Sequence, residues 1–295
     1  MKRKGFTLVE LLVVIAIIAL LMGILMPALA KIRTLAARTI CGTNLGSIGK
    51  AMLIYANDRF QEYPIAGGPD PVWDDDIEDW DPARSLLDPG KEAYGPGNKA
   101  TIGSCFYLLI KFADLTTRDV ICKGDVGSSI FSLSEADAQN STKETEAWDF
   151  GLIPGNHYSY SYHYPFVKRL SLQPSSKPGK PLCADRNPYY DNNVTPQLAG
   201  WDTVQDKYDD PKGLHNSASH QQKGQNVLYN DCHVKFEKGA NLGLKDDNIW
   251  LYWIDETPPV EKEHWETGEV EPIGDKDVDM SQGMKDAFLV NEVQN

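Results

Sequence analysis

Hydrophobic and polar positions divide the chain sharply near its N-terminus. Residues 1–4 include three basic side chains, and residues 11–30 form a run of uncharged, mostly apolar residues. At about 1.5 Å per residue, a helix of that length reaches roughly 30 Å, the thickness of a bilayer core. The pattern therefore predicts a membrane-spanning helix whose basic end stays in the cytoplasm. A single acid, Glu10, stands at the head of the apolar run.

Beyond Pro27 the pattern becomes that of an amphipathic helix. Apolar residues recur at three- and four-residue steps as far as about Asn57, with basic residues between them. The spacing predicts one continuous helix over both segments, with its second half, residues 31–57, packed on a sheet.

The rest of the chain predicts short elements between long loops. Tyrosine and serine alternate over residues 158–162, which is typical of a strand with one buried face. Residues 226–236 predict two strands joined by a tight turn, a β-hairpin. A short helix is predicted at residues 104–113 and a short strand at residues 120–122. The fold class is therefore α+β: a long N-terminal helix packed on a small antiparallel sheet, with long loops.

Two segments are notably acidic. Residues 62–99 are rich in Pro, Gly and Asp and predict a surface loop, and six acids fall within residues 74–81. Residues 257–295 predict an acidic, mobile tail apart from Trp265. The soluble domain is expected to span residues 58–256.

The acid at position 10 separates three interpretations of the apolar run. An ordinary transmembrane anchor gains nothing from a carboxylate, which is unfavourable in the membrane unless it has a partner. A secretory signal cleaved after the small residues 28–30 is a second interpretation, although its apolar region is usually shorter. In the third interpretation Glu10 has a dedicated partner.

The third interpretation rests on a resemblance. Residues 4–15, with the sequence KGFTLVELLVVI, are similar to the N-terminus of type IV pilins and type II secretion pseudopilins. The resemblance implies cleavage of the leader, residues 1–5, by a prepilin peptidase after Gly5, and N-methylation of Phe6. It also implies that Glu10 meets the positive N-terminus of a neighbouring subunit during assembly. Residues 6–30 would then serve as both the membrane span and the filament core.

A second resemblance lies near the C-terminus. His220 and Asp231, with residues 226–229 between them and residues 233–234 after them, are similar to the H-x9-DG segment of many pilin-like proteins. The spacing is one residue longer here, and Cys232 stands where glycine is usual. A left-handed backbone at Cys232 would therefore be strained.

His220 and Asp231 are interpreted as a structural pair that fixes the turn, in preference to a catalytic or metal site. The chain contains none of the G-x-S-x-G, Walker, HExxH or Rossmann signatures, so the sequence does not predict an enzyme.

Charge limits the choice of ligand. The net charge is −13, and loss of the three basic residues in the leader would make it −16, so nucleic acid is an unfavourable partner. Calcium is the cofactor that such a chain would suit best, and a plain solubility role for the acids is the alternative. The calcium candidates are Asp185, Asp206, Asp209 and Asp210.

The five cysteines form no CxxC pair and no zinc spacing, so zinc is not indicated. Up to two disulfides can form outside the cytoplasm. The first candidate pair is Cys105 with Cys122.

These observations predict a single-pass protein of the bacterial inner membrane that later enters a pilus or pseudopilus, with like subunits and a prepilin peptidase as partners. The alternative is a membrane-anchored or exported carbohydrate-binding protein or hydrolase that uses the N-terminus only as an export signal and tether. Seven tryptophans and thirteen tyrosines are compatible with sugar stacking, but such residues also fill protein cores.

Overall fold

The computed structural model describes residues 7–67, 72–73, 99–133, 147–151, 153–166, 172–188, 216–240, 242, 249–250 and 289–290. Two helices, α1 (Leu8–Asp58) and α2 (Ile102–Phe112), pack with a five-stranded sheet. The described residues contain seven strands, of which the last five form this sheet. In chain order they are β1 (Val72–Trp73), β2 (Lys99–Ala100), β3 (Tyr160–His163), β4 (Pro181–Asp185), β5 (Gln225–Tyr229), β6 (Val234–Glu237) and β7 (Leu289–Val290). The predicted α+β class, with a long N-terminal helix on a small antiparallel sheet, is confirmed.

Helix α1 is a single element of 51 residues that continues through Pro27. Every side chain of α1 as far as residue 33 is exposed, so about 40 Å of helix extends beyond the folded domain. The second half packs on β5, and Gly49 allows the approach, because a Cβ atom there would lie 2.9 Å from Cδ1 of Leu228. The prediction that the second half of the long helix packs on a sheet is therefore confirmed.

The five-stranded sheet has the order β6-β5-β4-β3-β7, and every neighbouring pair in it is antiparallel. The predicted hairpin is β5 with β6, with Leu228 opposite Val234. Strands β1 and β2 form a separate parallel pair. Most of the acidic segment 62–99, with its six acids at 74–81, lies outside the described residues.

Both faces of the five-stranded sheet are covered, which differs from the predicted single buried face of β3. Cys183 and Leu228 belong to the larger core with α1 and α2. The neighbouring Ala184 and Val227 belong to a smaller core with Trp250 on the other face. Because successive side chains of a strand point to opposite faces, these strands are buried at every position.

Helix α2 confirms the short apolar helix predicted near residues 104–113. Thr101 is its N-cap and accepts a hydrogen bond from the backbone N–H of Ser104 at 2.8 Å. The strand predicted at residues 120–122 is wrong. The backbone there forms turns, in which the N–H of Ile121 donates to the carbonyl of Arg118.

The C-terminal segment also differs from the prediction. Leu289–Val290 forms β7 and pairs with Tyr162 and His163 of β3 at the edge of the sheet. Leu289 is buried in the smaller core, so apolar burial holds part of the segment predicted to be a mobile tail. Trp265 lies outside the described residues.

Cys232 lies in the turn between β5 and β6 with a φ of 65°. This is the left-handed conformation that we predicted to be strained for a residue with a side chain. We expect Cys232→Gly to be more stable than Cys232→Ala by about 1 kcal/mol, because only alanine retains the Cβ penalty. Both variants lose the thiol equally, so urea unfolding of the pair isolates the backbone term. Equal unfolding midpoints would contradict this account of the turn.

Candidate functional site

The N-terminus of α1 is closed by a reciprocal pair of hydrogen bonds. The hydroxyl oxygen of Thr7 accepts from the backbone N–H of Glu10 at 3.3 Å, and the Glu10 carboxylate accepts from the backbone N–H of Thr7 at 2.8 Å. The Thr7 hydroxyl also donates to this carboxylate at 2.6 Å. This is a capping box, which the spacing T-x-x-E predicts but which our sequence analysis missed.

The capping box leaves the charge of Glu10 without a cationic partner among the described residues. Its hydrogen bonds come from neutral groups of Thr7, and the carboxylate is exposed. The helix N-terminus favours the negative charge but supplies no formal positive one. Gly5 and Phe6, the predicted cleavage and methylation residues, lie outside the described residues.

The helix that follows Glu10 presents apolar side chains on all sides. Every side chain over residues 7–33 is exposed, including Leu12, Ile18 and Ile24. By length and composition, α1 can cross a membrane. So large an exposed apolar surface is unusual for a soluble monomer and marks a membrane or protein interface.

A second group of functional side chains lies where α1 meets the sheet. Cys41 of α1 and Cys122, in the turn after α2, form a disulfide across a sequence separation of 81 residues. The predicted Cys105–Cys122 bridge is therefore wrong. Cys105 faces the larger core from α2, where its sulfur accepts a hydrogen bond from the backbone N–H of Ala66 at 3.4 Å.

His220 lies beside this disulfide and is almost completely buried. Its Nε2 atom lies 3.0 Å from Oδ2 of Asp185, 3.1 Å from Nδ2 of Asn226 and 3.7 Å from Sγ of Cys122. The prediction that His220 pairs with Asp231 is not met, since the described partners of His220 come from β4, β5 and the turn after α2.

Asp231 instead pairs with His233, two residues further along the hairpin turn. The His233 ring in turn stacks on the Tyr229 ring, with centroids 4.4 Å apart. The hydrogen bonds from His233 hold the pKa of Asp231 below its usual value. Contacts among Tyr229, Asp231 and His233 therefore fix the turn. His220 does not take part in them and lies in the buried cluster instead.

Asp185, a calcium candidate from the sequence, is fully buried at the end of β4. Its Oδ2 accepts hydrogen bonds from the backbone N–H of Asn226 at 2.6 Å and from its side-chain amide at 3.2 Å. The nearest other donor atoms are imidazole nitrogen and sulfur, which do not suit calcium. The other three candidates, at positions 206, 209 and 210, lie outside the described residues.

The residue after Asp185 fixes the segment that carries Cys122. The buried Arg186 donates through Nε to Oδ2 of Asp125 at 3.2 Å, and Asp125 also accepts from the Ser128 hydroxyl at 2.7 Å. Burial alone would raise the pKa of Asp125, but the charge of Arg186 and the Ser128 hydrogen bond outweigh it and the pKa is lowered. This ion pair joins β4 to the turn after α2.

Gly124 brings that turn against His220. Its backbone N–H donates to Sγ of Cys122 at 3.3 Å. A Cβ atom at Gly124 would overlap the carbonyl oxygen of Ser219 and lie 2.9 Å from Nδ1 of His220. The close contact between this turn and His220 therefore requires a residue without a side chain at position 124.

We expect Gly124→Ala to destabilise the domain by about 1–3 kcal/mol, because the backbone atoms it would strike cannot rotate away. Gly179→Ala is the matched control, since nothing lies within 4 Å of a Cβ atom there. Its effect should stay within about 0.5 kcal/mol. Urea unfolding measures both variants, and equal midpoints would contradict the described packing.

Comparison with known proteins gives one match. Residues 1–26 match the family model of the prokaryotic N-terminal methylation motif, which confirms the predicted character of the N-terminus. No curated protein and no solved structure matches the chain. The motif fits proteins of the type IV pilin and pseudopilin type, and together with α1 it supports anchoring in a membrane.

Proposed function

We propose that the chain is a structural subunit of a type IV pilus-like or type II secretion pseudopilus filament. The observation that carries the proposal is the apolar first half of α1, which is exposed over residues 8–33 and contains residues 8–26 of the methylation motif. A single segment of this kind suits lipid before assembly and a bundle of like helices afterwards.

Processing would prepare the chain for assembly. A prepilin peptidase cuts after Gly5 at the cytoplasmic face of the inner membrane, and Phe6 becomes the methylated N-terminus. The new amine carries a positive charge about one helical turn from Glu10. Pairing between the amine of one subunit and Glu10 of the next would set the axial offset between neighbours.

The domain beyond α1 would then line the outside of the filament. It acts as a structural element, and the alternative role in carbohydrate binding gains no support from the described tryptophans or from the tyrosines of β3. Trp148, Trp250 and the tyrosines of β3 are all buried. Such residues fill the core instead of offering a face to a sugar.

The leader processing step is tested by Gly5→Ala. We expect the variant to accumulate uncleaved, because the peptidase must approach the backbone closely at this residue. Gly23→Ala is the control, since it places a methyl group in open space on α1 and should leave processing unchanged. Intact mass of the membrane-extracted protein distinguishes the two forms. Normal cleavage of the Gly5→Ala chain would count against the assignment.

A further inference from the structure

Four metal-binding side chains converge in the interior of the domain. They are Cys41, Cys122, Asp185 and His220, and their ligand atoms all lie within 4.8 Å of one another. Each residue is almost completely buried. They come from α1, the turn after α2, the end of β4 and the turn before β5, so the fold alone brings them together.

We propose that the dithiol form of this cluster is a zinc site, with both cysteine sulfurs, Nε2 of His220 and one carboxylate oxygen of Asp185 as ligands. The disulfide and the metal are alternative states of the same pair of sulfurs. The absence of a zinc spacing in the sequence does not bear on a site assembled from four separate elements.

The distance between the histidine nitrogen and the cysteine sulfur fits this assignment. Zinc–ligand bonds of about 2.0–2.3 Å place the ligand atoms of a tetrahedral site roughly 3.3–3.8 Å apart. The separation of 3.7 Å between Nε2 of His220 and Sγ of Cys122 lies in this range. Nε2 of His220 lies closer to Oδ2 of Asp185, at the hydrogen-bond distance of 3.0 Å, so metal binding would move these two side chains apart or use Oδ1 of Asp185 instead. Opening of the disulfide would let the two sulfurs separate to a similar spacing.

Asp185 supplies an independent indication of a ligand. Its Oδ1 atom is buried and has no hydrogen-bond partner among the described residues. A buried carboxylate with one oxygen unpaired is costly, and such an atom calls for an explanation such as an ion. A zinc ion held between the four side chains would give this oxygen a partner.

The surroundings resemble the outer shell of a metal site. The backbone N–H of Asn226 holds Asp185, and the backbone N–H of Gly124 donates to the sulfur of Cys122. Hydrogen bonds of this kind orient the ligands and tune thiolates. By contrast, burial raises the pKa of the Cys183 thiol, which lies among apolar side chains and is suited to an inert role.

Charge and atoms balance in both states. The newly made chain carries two thiols, and their two protons pass to water when one zinc ion binds, so the net charge of the cluster does not change. Oxidation by a disulfide such as oxidised glutathione takes two electrons from the thiolates. It forms the Cys41–Cys122 bond, takes up two protons as two reduced glutathione molecules, and releases the zinc.

The test is a cobalt(II) titration of the full-length chain in detergent. A phosphine first reduces the disulfide to two thiols and is itself oxidised to the phosphine oxide with oxygen from water. A chelator then removes any metal from the reduced chain. We expect one cobalt per chain, with thiolate charge-transfer and tetrahedral ligand-field bands that zinc abolishes. The oxidised chain should show neither band.

Two variants test the ligands, and a third is the control. His220→Gln and Asp185→Asn should weaken cobalt binding at least as much as the roughly 10- to 100-fold loss caused by outer-shell changes. Cys232→Ser removes a thiol outside the cluster and should bind like the wild type. Thermal unfolding of the oxidised variants checks that each one folds.

Three results would overturn the proposal, two for a reduced chain that stays folded and one for a reduced chain that unfolds. One is a reduced, folded wild-type chain that binds no cobalt. The other is a thiolate band that persists when Cys41 and Cys122 are both replaced by serine. If the reduced chain unfolds without metal, far-UV circular dichroism becomes the readout. Zinc must then restore the folded signal in the wild type but not in the double serine variant, and failure to do so also overturns the proposal.

Discussion

Glu10→Leu should abolish filament assembly while leaving cleavage and membrane insertion intact. In the single chain, Thr7 donates hydrogen bonds to the Glu10 carboxylate but supplies no positive charge to pair with it. A charge carried into a packed helical bundle needs an opposite charge, and the processed amine of a neighbouring Phe6 would supply it. Leucine fits the bundle but cannot set the axial offset between subunits. Electron microscopy and shearing of filaments from cells measure the loss.

Thr7→Val separates this pairing from the capping box. It removes the hydroxyl that caps α1, at a cost of about 0.5–2 kcal/mol, and leaves the carboxylate in place. We expect this variant to assemble. If Glu10→Leu forms filaments at wild-type abundance, Glu10 does not pair with a neighbouring subunit. If only Thr7→Val fails to assemble, the capping box is what assembly requires.

Loss of the Cys41–Cys122 disulfide should produce the largest change in domain stability. The bond closes a sequence separation of 81 residues and joins α1 to the turn after α2. Removal of a native disulfide of this kind costs about 2–5 kcal/mol, chiefly because the unfolded chain gains freedom. The double variant Cys41→Ala/Cys122→Ala should therefore unfold at markedly lower urea than the oxidised wild type.

Cys232→Ser is the control for that experiment, because it changes a thiol that takes no part in the bond. Its unfolding midpoint should stay near that of the wild type. Thiol titration in denaturant should find three thiols in the oxidised chain, those of Cys105, Cys183 and Cys232. Five thiols, or a double variant as stable as the wild type, would contradict the described disulfide.

The elements that could be predicted from sequence are those fixed by local pattern. Helix α1 follows from its continuous apolar run and its amphipathic second half, and the β5–β6 hairpin follows from alternation around a turn. The left-handed backbone at Cys232 was predictable, because the resemblance to the H-x9-DG segment implies a glycine conformation at that position. The capping box of Thr7 and Glu10 was equally local and could have been found from its spacing.

The buried cluster could not be predicted in this way. The disulfide and the contact of His220 with Asp185 join residues that are far apart in sequence, and only the packing of α1 on the sheet brings them together. The hairpin brings Asp231 to His233 instead of His220, a pairing of near neighbours that the motif resemblance obscured. Strand β7 depends on burial of Leu289 against Trp250, which no local pattern indicates.

The most direct test of the proposed function is the N-terminal mass and sequence of the protein purified from its native membrane. We expect a chain that begins with N-methylated Phe6 and retains Glu10. A chain that begins at Lys31 would show a secretory signal cleaved after the small residues 28–30. That result would remove the apolar half of α1 from the mature protein and contradict its role in a filament.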